Sequence, residues 1–261
     1  QIDSDDTKIH IFKGIALMKL GQHEESLTSI EKSIKLNPDD SESYILRGIL
    51  YINLGKYEDA LDSCDTAIKL SRDNFQSHSL RGIALVKLDR YREALISLDK
   101  AIQFELNDSQ SHKFKGIALF HLSQDQKALV SIDRAIELNP NDIESHTLKG
   151  HVLLNLERYQ EAIDSSNKAV EINPDDAQVS TLKGNVLFNL TQYKEAISSC
   201  NEAISVQSGD SNAWNVKALC LSLLLDYPEA IAAIDRAIEL ENNENKSNFI
   251  ANKGILLARS S

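Results

Sequence analysis

Residues 41–74 read SESYILRGILYINLGKYEDALDSCDTAIKLSRDN, and this stretch decides the fold because its pattern recurs along the chain. The apolar spacing predicts a first helix over about 42–54, a turn at 55–56 and a second helix over about 57–70. Glycine at the turn supplies the left-handed backbone that often ends a helix. The unit of the fold is therefore a hairpin of two antiparallel helices.

Glycine recurs every 34 residues in the first helix of this unit. The positions are Gly14, Gly48, Gly82, Gly116, Gly150 and Gly184, with Ala218 at the next place and Gly254 two residues late. Self-similarity at this period indicates a stacked array of helical hairpins. The sequence therefore predicts an all-α solenoid, an architecture that usually offers a binding surface.

The 34-residue register divides the chain into complete and partial units. Seven complete units fit without a gap, at 7–40, 41–74, 75–108, 109–142, 143–176, 177–210 and 211–244. Residues 1–6 fall on the end of a preceding truncated repeat, where Ile2 takes the leucine position. Residues 245–261 supply the first helix of an eighth repeat or a capping helix. We therefore expect a fragment of a longer array or polypeptide.

The unit resembles the tetratricopeptide repeat, whose pattern is W-x2-L-G-x2-Y, then A-x3-F, then A and P. The matching positions in residues 41–74 are Tyr44, Gly48, Tyr51, Ala60, Cys64 and Ala67. Lys-Gly in the first helix and Asn-Pro-Asp-Asp between units are similar to prokaryotic, especially archaeal, members. The resemblance implies a right-handed superhelix that binds protein partners in its concave groove.

One side of the first helices is apolar in the N-terminal units, and in tetratricopeptide proteins that side lines the groove. The resemblance therefore implies that a partner would contact it. The candidate groove residues are the apolar Ile11, Ile15, Met18, Ile45, Ile49, Ile52, Ile83, Val86, Ile117 and Phe120 and the polar Lys19, Asn53, Lys87, His121, Asn155 and Asn189. The hypothesis is a groove for an extended or helical protein segment. The alternative is that the apolar stripe packs between adjacent repeats.

The carboxylate clamp known in tetratricopeptide proteins holds a C-terminal carboxylate with Lys, Asn and Arg side chains. The corresponding positions here are Ile11, Ile15, Leu46, Gln76 and Leu80. That clamp is absent, which disfavours a receptor for chaperone tails.

A basic residue precedes the glycine position in every unit. The column is Lys13, Arg47, Arg81, Lys115, Lys149, Lys183, Lys217 and Lys253. One interpretation is a ladder that grips an acidic partner. The other is that the charges meet acids on the second helices, such as Asp65, Asp99, Asp133 and Asp235. We favour the second interpretation because this column faces neighbouring helices.

Composition and spacing exclude several classes of function. A net charge of -11 with a pI near 5.1 disfavours nucleic acid as a partner. No stretch reaches the roughly 18 apolar residues of a membrane span, so we expect no membrane partner and a cytoplasmic protein. Phosphate-binding and hydrolase motifs are missing, which predicts no cofactor and no catalytic residues.

The histidines and cysteines are spaced for packing. His10, His78, His112 and His146 share one repeat position about 10 Å apart, whereas zinc needs all its ligands at about 2.1 Å, so no metal site is expected. Cys64 and Cys200 lie four repeats apart and cannot pair. Cys200 and Cys220 lie on successive helices and could approach, but buried free thiols are the favoured interpretation.

The function that these observations favour is a non-catalytic scaffold for protein–protein interaction, with a protein or peptide partner. A first alternative is the partner-recruiting region of a larger enzyme or signalling protein whose catalytic domain lies outside the fragment. A second is a module for self-association through the groove or the end helices.

Overall fold

The computed structural model of the chain describes residues 4–242 and 245–260, and all regular structure in them is α-helix. The helices form two compact units, residues 1–140 and 141–261. The first contains α1 (Ser4–Lys19), α2 (His23–Leu36), α3 (Ser41–Asn53), α4 (Tyr57–Leu70), α5 (Phe75–Lys87), α6 (Tyr91–Phe104), α7 (Ser109–His121) and α8 (Asp125–Leu138). The second contains α9 (Ile143–Asn155), α10 (Tyr159–Ile172), α11 (Ala177–Asn189), α12 (Tyr193–Val206), α13 (Ser211–Leu223), α14 (Tyr227–Leu240) and α15 (Asn245–Ser260).

Every hairpin turn contains one residue in the left-handed backbone region. The seven residues are Gly21, Gly55, Asp89, Ser123, Glu157, Thr191 and Leu225, with φ between 55° and 74°. They recur every 34 residues, as the pattern predicts, although only the first two are glycines. The turn geometry is thus imposed by the packing of the two helices more than by the residue at its tip.

The loop between successive hairpins ends in a side chain that caps the next helix. The N-cap residues are Asp40, Asn74, Asp108, Asp142, Asp176 and Asp210, and each accepts a hydrogen bond from a backbone N–H in the first turn. Asn74 Oδ1, for example, accepts from Ser77 N at 3.0 Å. These caps satisfy amide groups that a helix start leaves without partners.

The periodic glycines mark the closest approach of the two helices in a hairpin. A β-carbon on Gly14 would lie 2.5 Å from Ile30 Cδ1, and one on Gly116 would lie 2.6 Å from Ile132 Cγ1. Ile30 and Ile132 are fully buried in the first unit. At these two positions a β-carbon would displace the isoleucine side chain, which favours glycine there, although alanine holds the equivalent place at Ala218.

The basic column pairs with the second helices. Arg81 Nε lies 2.6 Å from Asp65 Oδ1, and its Nη1 donates to Ser97 Oγ at 2.6 Å, so this side chain joins α4, α5 and α6. Lys115 meets Asp99 at 2.6 Å and Lys253 meets Asp235 at 2.5 Å. The prediction of structural ion pairs is confirmed at these three positions.

The two ends of the chain differ from the complete repeats. α1 begins at Ser4, so residues 4–6 are helical, while Ile2 lies outside the described residues. At the other end, α15 is one helix whose buried Phe249 and Leu256 pack against Ile234. The all-α helical-repeat fold predicted from the sequence is confirmed.

Candidate functional site

The first unit contains a cavity of about 570 Å³ beside its first helices. It lies between α3, α5 and the start of α7. Its apolar lining is Ile49, Ile52, Phe75, Leu80, Ile83 and Phe114, and its polar lining is Asn53, Gln76, Ser79, Lys87, Asp108 and Gln110. The cavity therefore has an apolar wall, formed by its isoleucine, leucine and phenylalanine side chains, and a polar margin that includes the amides of Asn53, Gln76 and Gln110.

Helical spacing explains why these residues meet. Gln76, Leu80, Ile83 and Lys87 are separated by three or four positions on α5, so they form one face of that helix. Ile49 holds the same repeat position on α3 as Ile83 holds on α5, one repeat earlier. Stacking the hairpins in register brings the equivalent faces side by side.

Part of the predicted apolar stripe belongs to the core. Ile11 is 6% exposed, Ile45 is 5% exposed and Val86 is 6% exposed, so these side chains are buried among the helices. Ile83 is 8% exposed and contributes only its edge to the cavity. Ile11 and Ile45, expected to contact a partner, offer almost no surface for one.

The other members of the stripe are half-buried. They are Ile15, Met18, Ile49, Ile52, Ile117 and Phe120. Ile15, Met18 and Ile49 pack against a core cluster, and Ile49 and Ile52 line the cavity. The cluster consists of Ile11, Leu27, Ile30, Leu46 and Leu50. The groove in the first unit is thus a local cavity, with packed side chains on either side of it.

The predicted polar column is exposed along its whole length, but its members have different surroundings. Asn53 and Lys87 line the cavity, and Lys19 lies outside it. The His121 ring stacks on Tyr91, with centroids 4.5 Å apart and planes 2° from parallel. Stacking at this distance holds the imidazole against α6.

In the second unit, Asn155 and Asn189 are exposed, and Asn189 Nδ2 donates to Asn185 O in its own helix at 2.8 Å. One cavity there, of about 400 Å³, is polar and includes His151, Gln178, Thr181 and Asn185, and a smaller one, of about 240 Å³, has an apolar lining that includes Phe188, Leu219, Leu223 and Ile255. Burial lowers the pKa of His151. The apolar cavity of the first unit is the better place for an apolar anchor.

Charge around the first-unit cavity is asymmetric. The Asp108 carboxylate caps α7 and accepts hydrogen bonds from Ser111 N at 3.1 Å and from Ser79 Oγ at 3.0 Å. Lys87 Nζ lies 6.0 Å from the centroid of the Phe114 ring, and Lys113 Nζ lies 5.7 Å from it. Both ammonium groups therefore lie beside the Phe114 ring, and the Asp108 carboxylate lines the same cavity as Lys87.

Sequence reasoning missed several cavity residues. Phe75, Asp108, Gln110 and Phe114 were not expected there, and Gln76 and Leu80 were considered only as clamp positions. The signal that could have found the last two is their spacing of three to seven residues from Ile83 on one helix. Asp108 and Phe75 lie at helix starts, where a helical wheel gives little guidance.

The rings at the histidine position of the first helices contact backbone carbonyl groups. Within the described ranges, no group of three or more His, Cys, Asp or Glu side chains is placed to hold a metal ion. His78 Nε2 lies 2.9 Å from Arg72 O, and His112 Nε2 lies 3.0 Å from Leu106 O. Trp214 donates to Ser208 O in the same way, at 3.2 Å. These rings secure the loop before each helix, as the packing interpretation predicts.

The three cysteines are free and buried. Burial raises the pKa of Cys64, Cys200 and Cys220 to about 12, so the thiols stay protonated at neutral pH. No helix in the part of the chain that is described is long and apolar enough to span a bilayer.

Several stretches of the chain match sequence models of one protein family. Sequence models described as Tetratricopeptide repeat match residues 7–40 and 143–176, residues 29–62, and residues 181–245. Together these stretches make up more than half of the chain. None of the curated proteins compared with this sequence matches it.

Solved structures give the same result. YrrB, described as a TPR protein with an unusual peptide-binding site, is 26% identical over 72% of this chain and 97% of its own, with a TM-score of 0.61. MamA 41-end from Desulfovibrio magneticus RS-1 is 23% identical over 66% of this chain and 97% of its own, with a TM-score of 0.59. Pseudomonas aeruginosa pilF is 15% identical over 82% of this chain and 97% of its own, with a TM-score of 0.73.

The repeat period, the capped helical hairpins, the matching family models and the similar solved structures agree with one another. The chain belongs to the tetratricopeptide repeat family.

Proposed function

We propose that this chain is a non-catalytic scaffold that holds a segment of another protein in the groove of its first unit. The tetratricopeptide repeat is generally a scaffold for protein–protein interaction. The observation that carries the proposal is the cavity of about 570 Å³ between α3, α5 and α7, with its apolar wall and amide margin. An apolar side chain of the partner occupies this cavity as an anchor.

The apolar wall supplies the affinity. Burying apolar surface stabilises a complex by about 25 cal/mol for each Å², so one large side chain contributes roughly 1.5–3 kcal/mol when fully enclosed. Ile52, Leu80 and Phe114 provide this enclosure, and all three lie on rigid helices. A preformed site of this kind binds without a large ordering cost.

The polar margin of the cavity orients the bound protein segment. Asn53, Gln76 and Gln110 each carry an amide that both donates and accepts hydrogen bonds, which suits the backbone of an extended segment. Lys87 adds a positive charge beside the Phe114 ring. The favoured ligand is therefore an apolar residue in an extended stretch with an acidic neighbour. A relative with a peptide-binding site, YrrB, supports a peptide ligand.

The test uses peptides selected from a phage-displayed library of random dodecamers against the wild-type chain. Selected peptides are synthesised, and their binding is measured by fluorescence anisotropy. Ile52→Asp places a charge in the apolar wall, and Gln76→Trp fills the cavity from an exposed position. Each change should weaken binding at least about tenfold, which corresponds to 1.4 kcal/mol.

The matched control is Ile96→Asp, which places the same charge on α6 at a side chain that is 62% exposed and outside the groove. It should leave binding unchanged. Far-ultraviolet circular dichroism checks that each variant is folded. Selection of no peptide, or binding that survives both groove variants, would overturn the proposal.

A further inference from the structure

A second cavity, of about 410 Å³, lies outside the groove. It is formed by α4, α6, the first turn of α5 and the loop that joins α4 to α5. Its lining residues are Ile68, Lys69, Arg72, His78 and Lys100. It shares no lining residue with the groove cavity.

The lining of this cavity is positively charged although the chain as a whole carries a net charge of -11. Lys69, Arg72 and Lys100 are exposed, and none of them forms an ion pair within 4.0 Å in the described part of the chain. No carboxylate lines the cavity. Three cationic groups therefore face one recess whose lining includes no carboxylate.

Acidic groups do lie next to this recess, but arginines neutralise two of them. An adjoining cavity shares Ile68, His78 and Lys100 and also includes Asp65 and Glu93. Asp65 pairs with Arg81 at 2.6 Å, and Glu93 pairs with Arg90 at 2.8 Å. Asp73, next to Arg72, is a further carboxylate whose charge acts on His78, so the three cations of the recess outnumber the carboxylates beside it that have no arginine partner.

The cluster is not required by the repeat. Arg72 takes the place that proline holds in other units, at Pro38, Pro140 and Pro174. The equivalent positions one repeat later are Gln103, Leu106, His112 and Arg134, and those one repeat earlier are Lys35, Pro38, Tyr44 and Thr66. Neither neighbour brings three cations together. The hairpin folds without them elsewhere in the same chain.

His78 fixes the geometry of the recess. Its ring is buried, lies 5.7 Å from the Phe104 ring in a stacked arrangement, and bonds through Nε2 to the Arg72 carbonyl at 2.9 Å. This bond ties the loop that carries Arg72 to α5. Burial lowers the pKa of His78, the bond to Arg72 O raises it, the Lys100 and Arg81 charges lower it further, and the Asp73 charge raises it.

We propose that this recess binds a small free phosphate compound, inorganic phosphate or diphosphate, between Arg72, Lys69 and Lys100. A guanidinium donates two parallel hydrogen bonds to a phosphate, and two ammonium groups complete the charge balance. The acidic surface elsewhere repels a long polyanion, so a compact ion is the ligand that fits.

The test is a titration of the wild-type chain with inorganic phosphate and with diphosphate, followed by NMR of the histidine rings at constant ionic strength. The His78 ring signals should shift along a saturable curve, and the pKa of His78 should rise because the bound anion stabilises the imidazolium. His112 makes the same backbone bond at the equivalent site, where Arg134 is the one cation at those positions, so it serves as the internal control. Its signals should not move.

A triple variant combines Lys69→Gln, Arg72→Pro and Lys100→Thr, each copied from the same position in another repeat. It should remain folded and weaken phosphate binding by more than tenfold. Arg134→Thr, made at the control site, should leave binding intact. A shift that never saturates, equal shifts at His112, or unchanged affinity in the triple variant would show only a diffuse ion atmosphere and overturn the proposal.

Discussion

Gly82 and Leu98 stand at the closest approach of α5 and α6: a β-carbon on Gly82 would lie 2.5 Å from Leu98 Cγ and 2.6 Å from Leu98 Cδ2. Leu98 is fully buried, so it has little room to withdraw. The contact therefore fixes the distance between the two helices of this hairpin.

Gly82→Ala should lower the free energy of unfolding by about 1–2 kcal/mol, because the overpacking cost exceeds the helix propensity of about 1 kcal/mol that alanine gains over glycine. The measurement is urea unfolding followed by circular dichroism. Gly254→Ala is the control, since a β-carbon there meets nothing within 4 Å. It should leave the midpoint unchanged or raise it, and a higher midpoint for both variants would contradict the packing argument.

Thr191→Gly should stabilise the second unit by about 1 kcal/mol. Thr191 has φ 60°, a backbone region in which a β-branched residue is strained and glycine is not. Thermal unfolding should show a higher midpoint. Gly55→Ala, at φ 71° in the equivalent turn of the first unit, should lower it. If the two substitutions shift the midpoint in the same direction, backbone strain is not the cause.

Asp210→Ala should destabilise the chain by about 1.5–3 kcal/mol, because two interactions are lost together. The Asp210 carboxylate caps α13 by accepting from Ala213 N at 3.0 Å, and it also accepts from Thr181 Oγ1 at 2.6 Å. Removing it leaves the buried Thr181 hydroxyl without this partner. In a double-mutant cycle, Thr181→Val should recover part of the loss; strictly additive effects would speak against the shared role.

Stability should fall as the pH rises above about 8.5. The folded-state pKa of Cys64 is about 12, above the usual value of about 8.5 in an unfolded chain, so the unfolded state releases its proton first. The stabilisation is complete below about pH 8 and declines above it by up to about 1.4 kcal/mol per pH unit for each thiol.

Denaturant midpoints measured from pH 7.5 to 9.5 test this dependence. A variant with alanine at Cys64, Cys200 and Cys220 should show a smaller slope, because the other two thiols also have pKa values of about 12. Reaction of the native thiols with a disulfide reagent should be slow at pH 8. Rapid labelling of the folded wild type, or an unchanged slope in the variant, would be the contrary result.

The sequence predicts the hairpins closely because their determinants are local. The helices predicted over about 42–54 and 57–70 correspond to α3 (Ser41–Asn53) and α4 (Tyr57–Leu70). The ion pair of Arg81 with Asp65 was also predictable, since a fixed period places the same positions side by side in successive units. The 34-residue period and the residues that end or cap each helix are enough to predict the helical hairpins and this ion pair.

The groove was less predictable because burial depth is a tertiary property. A helical wheel assigns Ile45 and Ile49 to the same side of α3, yet Ile45 is 5% exposed and Ile49 is half-buried. The difference depends on how closely the next hairpin packs, which no single helix encodes. Likewise, the stacking of His121 on Tyr91 joins two helices whose rotation the sequence pattern does not give.

The two roles of Asp108 restrict how the chain can change in length. Asp108 caps α7 and accepts a hydrogen bond from the hydroxyl of Ser79 on α5, and Asp210 likewise caps α13 and accepts one from Thr181 on α11. A duplication or loss of whole 34-codon blocks keeps every donor in phase with its acceptor, whereas any other increment mismatches them at the junction. Such a gene is therefore expected to grow or shrink by entire hairpins.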